Sequence, residues 1–167
     1  MMSKSVIPLL LLTVVLVSAD VYSTVLSVRY YTVARCIDIF VDQVILSVHE
    51  TNMNIKVKVT IVNPTLFDLR LEYVGVRPYI DNKPLIDPKI NPPFLGRNYF
   101  QGERSILLKL SNKTVTISFN VSVGVLPEAY MEKMWGVMVA IIIRDIPLVD
   151  QMQLQKYCNV AVQFVGD

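Results

Sequence analysis

The fold class this sequence predicts is all-β: an immunoglobulin/fibronectin-like antiparallel β-sandwich preceded by an N-terminal hydrophobic helix. Apolar and polar residues alternate with period two in successive stretches from residue 37 onward, as half-buried strands require. Turn-forming residues separate these stretches, and no helical pattern alternates with them, which argues against a βαβ parallel sheet. The N-terminal stretch is the exception. It is continuously apolar from Val6 to Val17 and carries Asp20 as its one charge as far as Val28.

That first stretch supports two readings. As a secretory signal peptide it has a charged start with Lys4, an apolar run of suitable length and small or apolar residues at Val17-Ser18-Ala19. As a membrane anchor it reaches the roughly 20 residues a bilayer span needs. Pro8 is tolerated near the start of such a helix, and Arg29 with Tyr30-Tyr31 is typical of a membrane interface. A buried core helix fits poorly, because the segment is apolar on all faces and lies at the terminus. The preferred reading is an uncleaved anchor over residues 1–33, touching the lipid bilayer through residues 6–28, followed by a sandwich over 34–167. Lys4 on one side and Arg29 and Arg35 on the other nearly balance the positive-inside count. The downstream sequence favours export, so the expected location is a single-pass cell-membrane protein with the sandwich outside the cytoplasm, or alternatively a secreted one.

The strands follow in order. Ile37, Ile39 and Val41 alternate with Asp38, Phe40 and Asp42, and Val44, Leu46 and Val48 resume after a one-residue slip that predicts a bulge. A turn is expected at Thr51–Asn54. Ile55, Val57, Val59 and Ile61 then face inward against Lys56, Lys58 and Thr60. Asn63-Pro64-Thr65 breaks the run, because Pro64 cannot donate to a ladder and biases Asn63 toward extended backbone. Asn63 and Thr65 can bond nearby backbone groups in place of the lost ladder bonds. The simplest account is a corner at which the chain changes direction or passes between sheets. Phe67, Leu69, Leu71 and Tyr73 continue on one face, extended by Val76–Ile80. Asp81-Asn82-Lys83 is a turn, with a short strand at Pro84–Ile86. Residues 87–102 read as loop. Two strands are expected at Ser105–Leu110 and Val115–Val123, around a turn at Ser111-Asn112-Lys113. Residues Pro127–Met134 read as a short helix, Trp135–Ile146 as a central strand, and Gln151–Val165 as a closing strand or pair of strands.

Composition limits the function. The 167 residues are 53% hydrophobic and 18% charged, with a net charge of +2, and mean hydropathy is +0.46. With no basic stripe, a nucleic-acid partner is not expected. His49 is the one histidine, at a strand end, and assembles no Ser/His/Asp or Cys/His set. Asp38 with Asp42, and Asp145 with Asp150, lack the dense spacing of a calcium loop. No phosphate-cradling loop or nucleophile elbow occurs. The expectation is therefore no catalysis, no cofactor, no metal and no identified small-molecule substrate. Cys36 and Cys158 lie at the two ends of the folded part. In an oxidising compartment a bridge between them would close a long loop, contributing about 4 kcal/mol in the chain-entropy model; two separate thiols are the alternative. Asn112-Lys113-Thr114 and Asn120-Val121-Ser122 are glycosylation acceptors, whereas Asn63-Pro64-Thr65 is excluded by its proline.

The stretch VTIVNPTLFDLRLEYVGVRPYIDNKPL resembles the water-stress and hypersensitive-response (WHy) domain of the type-2 late embryogenesis abundant proteins. Asn63-Pro64-Thr65 stands at that family's strand break and Asp81-Asn82-Lys83 at its later turn; Thr65 and Lys83 depart from the commonest letters. The resemblance covers about residues 36 to 165. It implies an immunoglobulin- or fibronectin-like sandwich, often behind a membrane anchor, linked to stress protection without catalysis. The alternative is a subunit of an extracellular pilin-like filament, with the helix in the filament core or with strand exchange between subunits. Ser18, Ala19, Ser23, Thr24 and Ser27 suit helix–helix packing, but no glycine-preceded processing site lies before the apolar run.

Overall fold

The computed structural model describes residues 6–49, 52–85, 94–122, 134–146 and 149–165. The apolar stretch forms a single helix, α1 (Val6–Cys36), which ends three residues beyond the expected boundary. At 1.5 Å per residue it is about 46 Å long. From Leu10 to Val25 its large apolar side chains project outward on every side. Its last two turns behave differently. Val33 is only 1% exposed, Ile37 just beyond the helix is buried as well, and Tyr30 and Ala34 pack against the same core. The Ile37 amide still donates to the Val33 carbonyl at 3.2 Å, and strand begins at the next residue. The helix therefore enters the hydrophobic core with no linker between.

Ten strands follow among the described residues: β1 (Asp38–His49), β2 (Asn52–Asn63), β3 (Leu69–Ile80), β4 (Lys83–Pro84), β5 (Gly96–Tyr99), β6 (Ile106–Leu107), β7 (Ser111–Ser122), β8 (Trp135–Ile146), β9 (Val149–Val160) and β10 (Val162–Val165). One sheet has the order β10-β1-β2-β7; the other has β4-β3-β8-β9, with β5 and β6 also along β3. Every pairing is antiparallel except β1 with β10, which is parallel. This departs from the all-antiparallel expectation. It arises because the chain leaves β9 in one sheet and, after Ala161 alone, joins β1 in the other.

The core is one apolar cluster shared by both sheets. On β2, Met53, Ile55, Val57, Val59 and Ile61 are wholly buried, at the period of two that places alternate residues on one face. The slip in β1 is a bulge at Asp42, between Val41 and Gln43. A second bulge, not expected from the sequence, lies at Glu72 in β3. It turns Tyr73 to the outer face and lets Val74 and Val76 enter the core, because one extra residue reverses the side-chain alternation.

Other expectations are corrected in detail. Gly96–Tyr99, read as loop, is a strand paired with β3. The strand expected over 105–110 is reduced to Ile106–Leu107, after a 3-10 turn at Gly102–Ser105. Ser111-Asn112-Lys113 lies in β7 and not in a turn; the reversal comes earlier, at Leu110 with φ +51°. The turn at Asp81-Asn82 is present, with both residues at positive φ, as a tight two-residue hairpin favours. The helix expected over 127–134 falls outside the described residues apart from Met134.

If the end of α1 belongs to the core, Val33→Ala in the full chain will lower unfolding stability by about 1–3 kcal/mol. Val14→Ala, on the exposed stretch, will leave it unchanged. Urea unfolding followed by tryptophan fluorescence of detergent-solubilised protein separates the two.

Candidate functional site

Two features of this molecule are organised for a role: the apolar helix and the corner of the domain beside its exit. Hydroxyls on the helix are satisfied locally. Ser18, Thr24 and Thr32 each donate to the carbonyl four residues earlier, at 2.8, 2.8 and 2.7 Å, so their polar groups are satisfied within the helix. By length and composition, Leu10–Cys36 is long enough and apolar enough to cross a membrane or to act as a signal sequence. Tyr30 and Tyr31 meet edge-on just beyond the apolar stretch.

The corner answers why Asn63-Pro64-Thr65 interrupts a good strand pattern. Here the chain leaves β2 for β3 in the other sheet, and close by it returns from β6 to β7. Backbone groups at both crossings lose their ladder partners and need others. The Asn63 side chain is fully buried. Its amide nitrogen donates to the carbonyls of Phe67 (2.8 Å), Leu108 (3.1 Å) and Leu107 (3.2 Å). Its amide oxygen accepts from the Thr65 hydroxyl at 2.6 Å and the Thr65 N–H at 3.1 Å. The Leu110 N–H donates to the Thr65 carbonyl, and Asp68 accepts from the Lys109 N–H at 2.8 Å. One asparagine thus ties the outgoing crossing to the returning one. Pro64, which has no N–H, sits exposed where no ladder donor is needed.

This latch lies at the helix end of the domain. Val62 pairs with Asp38, and Asn63 with Ser111. The Arg29 guanidinium lies 4.5 Å over the Phe67 ring. Outward from the latch, Leu66, Leu108 and Leu110 stand 70%, 57% and 66% exposed. A groove beside them is lined by Val62, Pro64, Leu110 and Asn112.

Charges elsewhere are engaged in holding the fold. Lys156 on β9 forms an ion pair with Asp38 on β1 and lies 4.7 Å over the Phe40 ring. The hydrogen bond from Lys156, outweighing burial, holds the Asp38 carboxyl below its ordinary value. Asp42 accepts from Thr60 at 2.6 Å, so the two aspartates face separate partners. Burial pushes the Lys113 ammonium down; it donates to the carbonyls of Arg104 and Ile106. Among the described residues no group of three or more metal-ligating side chains comes together. Sequence reasoning missed an aromatic outer face on the second sheet. Tyr73 packs against Phe94 and Tyr99, and Tyr79 against Tyr157. The tyrosines lie over two glycines: a Cβ at Gly75 would sit 2.2 Å from the Tyr73 hydroxyl, and one at Gly136 1.7 Å from that of Tyr157. The sequence carries no recognisable signal of this, because the contact at Gly75 depends on the bulge at Glu72 and that at Gly136 on the register of β8 against β9.

No family model matches this chain, and no curated protein does. Solved structures similar to it include three of different kinds. A protein from Archaeoglobus fulgidus is 10% identical over 77% of this chain and 97% of that one, with a TM-score of 0.36. The β-glucuronidase of Parabacteroides merdae is 16% identical over 75% of this chain but 14% of its own, with a TM-score of 0.39. A late embryogenesis abundant (LEA) protein, solved in solution, is 15% identical over 90% of this chain and 88% of that one, with a TM-score of 0.33.

The remaining expected sites are placed as follows. Cys36 and Cys158 are both free thiols in the structure, one of the two arrangements that the sequence leaves open. Cys36 closes α1 with its side chain exposed, while the Cys158 thiol points at the Ile39 carbonyl, 3.7 Å away. Asn112 and Asn120 both lie exposed on β7, the edge strand of its sheet, and Asn120 accepts from Asn54 at 2.8 Å. His49 ends β1.

Asn63→Ala will cost about 2–4 kcal/mol by orphaning backbone groups. Asn63→Asp will be worse at neutral pH, since a carboxylate would face three carbonyl oxygens. Its folded pKa is raised, so the penalty grows as pH rises above about 4; unfolding at several pH values reads this. For Asp38 the sign is opposite: its lowered folded pKa contributes stability above about pH 4 that is lost as pH falls through the folded value. Lys156→Met will flatten that part of the acid limb, only slightly because the pair is partly exposed.

Proposed function

We propose that this is a single-pass membrane protein whose immunoglobulin-like β-sandwich is held outside the cytoplasm in a non-catalytic, stress-protective or structural role. The observation that carries the reading is the helix. It is predominantly apolar from Leu10 to Val28 and exposed on all sides as far as Val25, a surface suited to cover by lipid or by other helices, and it then passes without a linker into the core through Val33 and Ile37. Such a join fixes the domain at the bilayer surface rather than tethering it loosely. The strand break at Asn63-Pro64-Thr65 and its resemblance to the WHy domain supply the stress-protective part of the reading.

The same join favours a second reading. A helix that continues rigidly into a sandwich is also what a filament subunit needs, with the exposed stretch packed among copies through Ser18, Ala19 and Ser23. On the first reading, protein extracted from membranes will have its full-length mass, with added glycan at Asn112 or Asn120, and will run as a dispersed species in detergent. Loss of about the first 19 residues would sink the anchor, and thin fibres seen by electron microscopy of the cell surface would move the case to the filament.

A further inference from the structure

We propose that the corner held by Asn63 is a second membrane contact: Leu66, Leu108 and Leu110 insert at the headgroup boundary of the same bilayer that α1 spans. The inference rests on the anchor reading and adds to it a defined seat for the domain.

Three observations place the corner at that level. The apolar stretch of α1 ends at Val28, so Arg29 is the first residue at the interface, where Arg and Tyr are favoured. The Arg29 guanidinium stacks on Phe67, next to Leu66 in sequence. The corner is therefore level with the membrane boundary, not a domain's length away from it. The strand directions agree, since both β2 and β7 have their corner ends beside the start of β1.

The chemistry of the corner is what a boundary contact needs. Three leucines stand mostly exposed within one loop pair, while the groups beneath them are fixed by the Asn63 and Thr65 hydrogen bonds. The carbonyls of Phe67, Leu107 and Leu108 and the N–H groups of Thr65, Lys109 and Leu110 thus have partners within the corner before any lipid is met, as an apolar environment demands. Lys109 between two of the leucines, and Arg29 beside them, set positive charge at the height of anionic headgroups. Leu110 adds an independent sign. It holds φ +51°, a conformation that glycine or asparagine adopts at less cost, yet it stands mostly exposed. A strained, exposed leucine is hard to account for by folding alone and points to a contact outside the fold.

The test uses the full chain in phosphatidylcholine–phosphatidylglycerol vesicles. On a Cys36→Ser, Cys158→Ser background, single nitroxides are placed by Leu66→Cys, Leu110→Cys, Val17→Cys and Lys83→Cys, the last beside the hairpin turn at the opposite end of β3. The expected result is that the labels at 66 and 110 collide readily with dissolved oxygen and poorly with a water-soluble nickel chelate, between the values for 17 and 83. If the label at 17 lies in lipid while those at 66 and 110 match 83, the corner contact is overturned and the anchor stands. If 17 is also in water, both fall. The native sequence gives a second readout that needs no substitution in the corner: a phospholipid bearing a diazirine near its headgroup should label the peptides that contain Leu66 and Leu108–Leu110. Labelling confined to α1 would overturn the proposal.

Discussion

The side-chain amide of Asn63 is the interaction on which the arrangement of this domain most depends. A two-sheet protein must take its chain from one sheet to the other, and every crossing strips backbone groups of their ladder partners. Here two crossings run side by side. Both donors and the acceptor of one amide serve them, reaching Phe67, Leu107 and Leu108 in one direction and Thr65 in the other. An aliphatic side chain would fill the space but leave the carbonyls unpaired, and an unpaired group in a low-dielectric interior is costly. The result is a fixed spacing between the ends of β2, β3, β6 and β7, and so between the sheets.

That fixed corner has its counterpart in the join of α1 to β1. Val33 and Ile37 make the end of the helix a part of the core, and Arg29 on Phe67 binds the preceding turn to the corner itself. Helix, corner and sheets are thus one packed body at this end. Whatever covers the apolar stretch of α1 will feel the orientation of the domain, because the domain cannot swing freely on the helix. The property that this architecture most clearly controls is the direction in which α1 leaves the domain.

Side-to-side closure of the two sheets uses different means. Lys156 meets Asp38 where β9 approaches β1, and β10 then completes the first sheet in parallel with β1. On the outer face of the second sheet, tyrosines lie across glycine positions and restore the apolar cover that Gly75 and Gly136 lack, a known device for supporting glycine in strands. These contacts join residues from separate strands, and each depends on register.

Local chemistry alone determined a good part of this protein. The uniform apolar run specified α1, because a helix with no polar face follows from composition. Strict alternation specified β2, β7 and the inner face of β1, including the slip at Asp42. The inability of Pro64 to donate specified a break, and Asn63 and Thr65 announced that side chains would replace the ladder. Tertiary structure decided the rest. Asn63 reaches Leu107 and Leu108 only because β6 happens to return beside it. Tyr73 faces outward only because Glu72 bulges against β8. Gly96–Tyr99 is a strand because β3 offers it an edge, and four residues carry too little pattern to declare it; Val162–Val165 reads as strand in the sequence, but its parallel place beside β1 does not. That Leu66, Leu108 and Leu110 share one exposed corner beside the helix follows from two sheet crossings that are some 40 residues apart in sequence and adjacent only in the fold.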